Sequence, residues 1–216
     1  MRALFEKDLR LILIRKSTLF IFLIIGVVFT LSFSNSFSGA YLTMLGTMLA
    51  LSTISFDDSD NCMAFLFTLP CTRKQYVLEK YLFVYGFSFV AGLIGLVIII
   101  ILNITKGSVV NEAVLIEILA SEIPILVITG GLMIPLQLKF GPEKSRIVLM
   151  SIIGVVLIAG FMISKSSYAT TVMEQFYRLM DGNTSMKFLA MLIVVLMIIT
   201  VISTLATSRI MNDKEL

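Results

Sequence analysis

Residues Phe56–Leu82, FDDSDNCMAFLFTLPCTRKQYVLEKYL, interrupt a chain that is otherwise nearly continuous hydrocarbon. An acidic cluster opens the stretch and a compact apolar segment follows. Leu69-Pro70 closes that segment, and a basic helix start runs straight into the next hydrophobic run. Outward from this stretch lie six apolar segments: Ser17–Phe33, Gly39–Phe56, Tyr81–Ile104, Ala113–Leu138, Ile147–Ser164 and Lys187–Ser208. Each is near the ~20 residues that a tilted helix needs to cross the hydrocarbon of a bilayer. With 58% hydrophobic and 14% charged residues, 216 residues cannot hide their apolar surface as a soluble domain, so the bilayer is the solvent. Strand alternation is absent, which excludes a β-barrel. The expected fold is an all-α integral membrane protein, one domain over residues 1–216 with six transmembrane helices.

The lysines and arginines orient these spans. With both termini inside, thirteen of the seventeen fall on the cytoplasmic side. They are Arg2, Lys7, Arg10, Arg15 and Lys16, then Arg73, Lys74 and Lys80, then Lys139, Lys144 and Arg146, and finally Arg209 and Lys214. Lys106, Lys165, Arg178 and Lys187 fall outside. The charged lead is read as an uncleaved first span with an amphipathic interfacial helix over residues 1–16, not as a secretory signal. On a helical wheel Met1, Phe5, Leu9 and Ile12 gather on one side and Arg2, Glu6, Lys7 and Arg10 on the other, with Asp8 near the boundary. Such a helix lies along the inner leaflet; a plain solvated positive tail is the alternative.

The opening stretch is then cytoplasmic, a loop over residues 57–80. Asp57, Asp58, Ser59 and Asp60 offer helix-capping oxygens and negative charge suited to a helix N-terminus. Asn61–Leu69 presents Met63, Phe65, Leu66 and Phe67 within about two turns, too short to span and too apolar for an ordinary exposed loop. Pro70 stops that helix and restricts Leu69. Thr72 and Gln75 fit a capping box that starts a new helix leading into the third span. Glu79 and Lys80 are placed at the membrane surface by this register. Two readings follow: a connecting loop resting among headgroups, or a docking helix for a soluble partner.

The sequence of acidic residues, apolar segment, LPCTRKQYVLEKYL and following span resembles the cytoplasmic loop of small ABC-2 type permeases. The basic amphipathic start, the six spans and the short fourth loop Lys139–Ile147 (KFGPEKSRI) fit the same outline. Within that family the chain is most similar to the permeases of peptide exporters, including the phenol-soluble modulin exporters. The resemblance implies that the loop between spans two and three carries a coupling helix inserted into an ATPase subunit. The matching positions are Asp60 to Leu69, then Pro70, Thr72 and Arg73, with Asp57 and Asp58 in the same acidic lead. It further implies two permease copies, ATP-Mg held by the partner ATPase subunit, residence in a bacterial plasma membrane, and export of hydrophobic or amphipathic cargo such as peptide toxins or antimicrobial peptides. Readings from other classes are a membrane scaffold or sensor that binds a cytoplasmic regulator, and a secondary transporter.

No GxxxxGK[ST] segment occurs, so this chain has no P-loop. Histidine is absent, which argues against the usual Cys/His zinc sites and against Ser/His/Asp catalysis. Cys62 and Cys71 are expected to stay reduced in the cytoplasm. No catalytic, cofactor or metal-ligating residue is therefore assigned, and no basic stripe with aromatics points to nucleic acid. Glu117 and Glu122 are candidates for an outer gate, since ionisable residues at membrane depth usually face protein or water. Pro124 and Pro135 around Gly130-Gly131 predict a bent or loosened fourth span. Met173, Phe176, Tyr177 and Met180 form a helical stripe that predicts an outer amphipathic helix within the extracellular segment 165–186.

Overall fold

A computed structural model of the protein describes residues 2–33, 35–58, 62–68, 71–105, 112–164 and 185–213. The helices are α1 (Arg2–Ile14), α2 (Lys16–Ser32), α3 (Asn35–Asp58), α4 (Cys62–Leu66), α5 (Arg73–Thr105), α6 (Glu112–Ser164) and α7 (Ser185–Asp213), and no strand occurs among the described residues. The protein is an all-α membrane protein. Four helices are long and apolar enough to cross a membrane, or five if the bent pair α1–α2 counts as one span. This count differs from six because α2 has 17 residues and because α6 carries both the fourth and fifth apolar segments.

Inside α6 the expected loop Lys139–Ile147 collapses to a single non-helical residue, Gly141, at φ 78° and ψ 170°. Only glycine adopts that region without strain. Pro142 follows at the first position of the second arm, where a missing N–H costs nothing. Pro124 and Pro135 lie within the helix, and the backbone break falls at Gly141 instead of the Gly130-Gly131 pair. The outer stripe Met173–Met180 lies outside the described residues.

Helix α3 is the centre of the bundle. It packs most extensively on α6 and α5, and 61% of its span is buried against 17% for α7. Small residues permit this. A methyl group at Gly46 would come within 2.4 Å of Ala91 Cβ on α5, and one at Gly26 of α2 within 2.6 Å of a Leu42 methyl on α3. Gly92 and Gly95 sit in similar close contact with α3, while Gly86 and Gly154 meet nothing within 4 Å. Around α3, the large exposed side chains of α2, α5, α6 and α7 are aliphatic or aromatic: Phe20, Ile24, Leu82, Phe89, Val155, Phe161, Val201 and Leu205 among them. In a chain of this hydropathy that surface meets hydrocarbon.

Threonine, serine and tyrosine hydroxyls fasten the outer helices. Tyr81 Oη lies 2.6 Å from Ser203 Oγ and 2.8 Å from Thr207 Oγ1, and Ser203 donates to the Gly131 carbonyl, joining α5, α7 and α6. Interhelical bonds of this kind contribute about 0.6 kcal/mol each in bilayers. At the other end of the bundle Asn103 of α5 donates to Asn35 of α3, and Phe29 stacks on Tyr41 at 4.1 Å to close the α2–α3 corner.

Candidate functional site

The stretch that interrupts the hydrocarbon folds into a corner at one end of the bundle. Helix α3 continues through Asp58, so Asp57 and Asp58 sit at a helix C-terminus and do not cap α4. Carboxylates are disfavoured there by the helix dipole, and Asp57 has the compensation nearby. Its carboxylate takes an ion pair from Lys80 at 2.7 Å, a second from Lys7, and a hydrogen bond from Tyr76 Oη at 3.0 Å. Lys80 also pairs with Asp8 and donates to Thr53 Oγ1 at 3.2 Å, and Lys7 reaches Asp8 at 3.2 Å. Asp8 and Lys80 are fully buried. Burial works against the Lys7 ammonium, but Asp57 and Asp8 outweigh it and hold its pKa above the ordinary value.

Lys80 and Glu79 are both buried within the protein, and Glu79 finds no hydrogen-bond donor for either oxygen among the described residues. The network also corrects the helical wheel of the N-terminal lead. The inward face of α1 is Leu4, Asp8 and Ile12, an i, i+4, i+8 row, whereas Phe5 is half exposed and rests edge-on against Phe83. A hydrophobic wheel puts Asp8 at a boundary because it cannot know that a lysine about two turns into another helix awaits it.

Beyond the network, α4 lies over the core. Met63 and Leu66 point inward at 4% and 6% exposure and join the main apolar cluster with Tyr76, Val77 and Ile54. Phe67 packs edge-on against Tyr76. Phe65 faces the opposite way and is 71% exposed, with Cys62 and Thr68 exposed beside it. Asp60, Leu69 and Pro70 lie outside the described residues. Thr72 and Gln75 form the expected capping box, Gln75 N–H to Thr72 Oγ1 at 3.3 Å and Thr72 N–H to Gln75 Oε1 at 3.1 Å. Arg73 turns back onto α7, donating to the carbonyls of Met211 and Asn212 at 2.9 and 2.6 Å. Those are orphan carbonyls of a helix end, where a cation is favoured. Desolvation raises the Cys71 thiol pKa, with Glu79 adding to it, so this thiol is a poor nucleophile at neutral pH.

Four segments separated in sequence thus meet at one end: α1 through Lys7 and Asp8, the corner after α3, the α6 kink, whose Gly141 lies against Asp58, and the end of α7. They are the same segments that carry the thirteen-to-four charge excess. Of the two membrane glutamates, Glu122 is buried between Gly39 of α3 and Gly92 of α5, with one carboxylate oxygen unpartnered among the described residues. Glu117 is on the same helix, and its side chain lies outside the described set.

A family model described as ABC-2 family transporter protein matches residues 3–212, nearly the whole chain. The chain belongs to the ABC-2 transporter family. It is accordingly a multi-pass membrane permease of an ABC transporter, a family of transmembrane subunits that associate with an ABC ATPase subunit. Neither the curated proteins nor the solved structures include a match to it.

Proposed function

We propose that this ABC-2 permease is the membrane subunit of an ATP-driven exporter and that the α4 corner couples it to a separate ATPase subunit, which would hold the ATP-Mg. The observation that carries this reading is the division of labour at α4. Met63 and Leu66 anchor the short helix in the core while Phe65 stands 71% exposed on the outside. An exposed aromatic on a rigidly held corner suits insertion into a pocket of a partner. Helix α5 follows α4 in the chain, and the buried ion pairs tie α5 to α1 and α3, so a push on the corner is delivered to three helices as a rigid-body displacement.

In this reading Asp58, Asp60, Phe65, Leu69, Pro70 and Thr72 belong to the coupling surface, whereas Asp57, Met63, Leu66, Phe67 and Arg73 brace it from within. The termini and the corner face the cytoplasm of a bacterial cell, two permease copies enclose the path, and the cargo is hydrophobic or amphipathic, peptides included. Glu117 and Glu122 stand away from the corner, and an outer gate there is a separate part of the proposal. Phe65→Asp tests the coupling directly because it leaves the core untouched, unlike any change at Leu66. Co-purification of the ATPase with the permease should drop at least tenfold, and permease-dependent ATP hydrolysis should fall with it, while the permease melts as the wild type does. Undiminished association and hydrolysis in Phe65→Asp would remove the corner from the coupling path.

A further inference from the structure

Glu122 lies where α6 meets both α3 and α5, and it is 7% exposed. A methyl group on Gly39 of α3 would come within 2.7 Å of its Oε1, and one on Gly92 of α5 within 2.9 Å of its Oε2. The carboxyl therefore fills a slot that two glycines leave open, and fully buried Ile118 closes it beside Gly39. Oε1 has no hydrogen-bond donor, and no ion pair reaches the residue, among the described residues. Thr43 Oγ1 borders the same slot but donates its hydrogen to the Gly39 carbonyl at 3.0 Å. Neither facing helix supplies a charge. Helix α3 carries no cation, and its carboxylates, Asp57 and Asp58, sit at the α4 corner. On α5 the nearest cation is Lys80, twelve residues from Gly92 and so about 18 Å away along the helix.

An isolated carboxylate taken out of water costs far more than a neutral acid in the same place, and such a group takes up a proton instead. The slot has no room for a larger counter-ion, since a methyl carbon already collides with either oxygen. We infer that Glu122 is a proton-binding site: its carboxyl holds a proton while α3, α5 and α6 are packed, and gives it up when they separate and water enters. On separation the O–H bond breaks and the proton passes to water; on closing, water returns it. Acid therefore favours the packed arrangement, and that preference is lost as the pH rises far enough to strip the packed carboxyl. Helix separation in this permease becomes linked to one proton per chain. The inference rests on burial and packing, and it holds whether or not an ATPase docks at α4 or a gate opens at Glu122.

The test compares the full-length chain with Glu122→Gln, whose amide has the shape of the neutral acid and cannot ionise. In phosphatidylcholine vesicles, infrared difference spectra between the two should show the carbonyl stretch of a protonated carboxylic acid in the wild type. That band should persist in neutral buffer, where an ordinary glutamate is ionised, and be missing from the variant. In nonionic detergent the two should melt alike in mildly acidic buffer. On moving to mildly alkaline buffer the wild type should lose several degrees more than Glu122→Gln. Glu79, the other buried carboxyl without a donor, is present in both chains, so its titration cancels in the difference. Phe65→Asp should change neither readout, which separates this inference from the coupling role of the corner. A wild type without the band, an equal alkaline loss in both chains, or a Glu122→Gln chain that melts well below the wild type in acid would each overturn the inference.

Discussion

Lys80 shows how much a single side chain holds together here. It is a fully buried cation whose ion pairs reach Asp8 on α1 and Asp57 on α3. Such pairs give little net stability over an apolar replacement, but breaking one strands the remaining charge. Lys80→Met is therefore expected to cost about 3–5 kcal/mol, measured by denaturant unfolding in micelles. Adding Asp8→Leu should recover a substantial part of that loss, because Asp57 keeps Lys7. If the double variant is no better than the single one, Asp8 is not held by Lys80. The residues of this network are visible in the sequence only as scattered charges. Asp8, Asp57 and Lys80 lie 49 and 23 residues apart, and no local pattern pairs them.

At the scale of elements, two glycines decide how helices meet. Gly141 has a backbone conformation that any side chain would strain, and a methyl there would also approach Asp58 Oδ2 to 3.1 Å. Gly141→Ala should destabilise by about 1–3 kcal/mol, whereas Gly154→Ala, with open space around it, should be neutral or slightly stabilising. Thermal melting of the two variants side by side checks this, and equal behaviour would mean that the kink is not required. Gly46 makes the crossing of α3 with α5. Gly46→Ala should cost about 1–3 kcal/mol through overpacking, and Ala91→Gly in the same chain should restore most of it, as a double-mutant cycle would show. Element existence was legible in sequence: all six apolar segments fall on helix, and the Thr72–Gln75 box starts α5 where its spacing says. The connection at residues 139–147 was not, because proline and charged residues suggest a loop while one left-handed glycine is enough to turn the chain.

For the whole molecule, sidedness is the question that chemistry can reach. Cys62 is exposed and Cys71 half-buried with a raised pKa, and both belong to the corner. With that corner in the cytoplasm, a membrane-impermeant maleimide should leave both thiols unmodified in intact cells. It should modify them in inside-out vesicles, Cys62 several-fold faster than Cys71 near neutral pH. Labelling from the outer face would invert the topology.

The sequence by itself determined that this chain lives in a bilayer as helices, and that one loop near residue 60 differs from the rest. Those properties depend on composition and local periodicity, which each segment carries alone. It also grouped the basic segments by charge, and the fold brings the same segments to one end. Only the tertiary structure decided which side of α4 is free, placing Phe65 outside and Met63 and Leu66 within. It likewise buried Glu79, Lys80 and Glu122. Burial and ion pairing are properties of helices in contact, and in a membrane every helix looks alike until its neighbours are known.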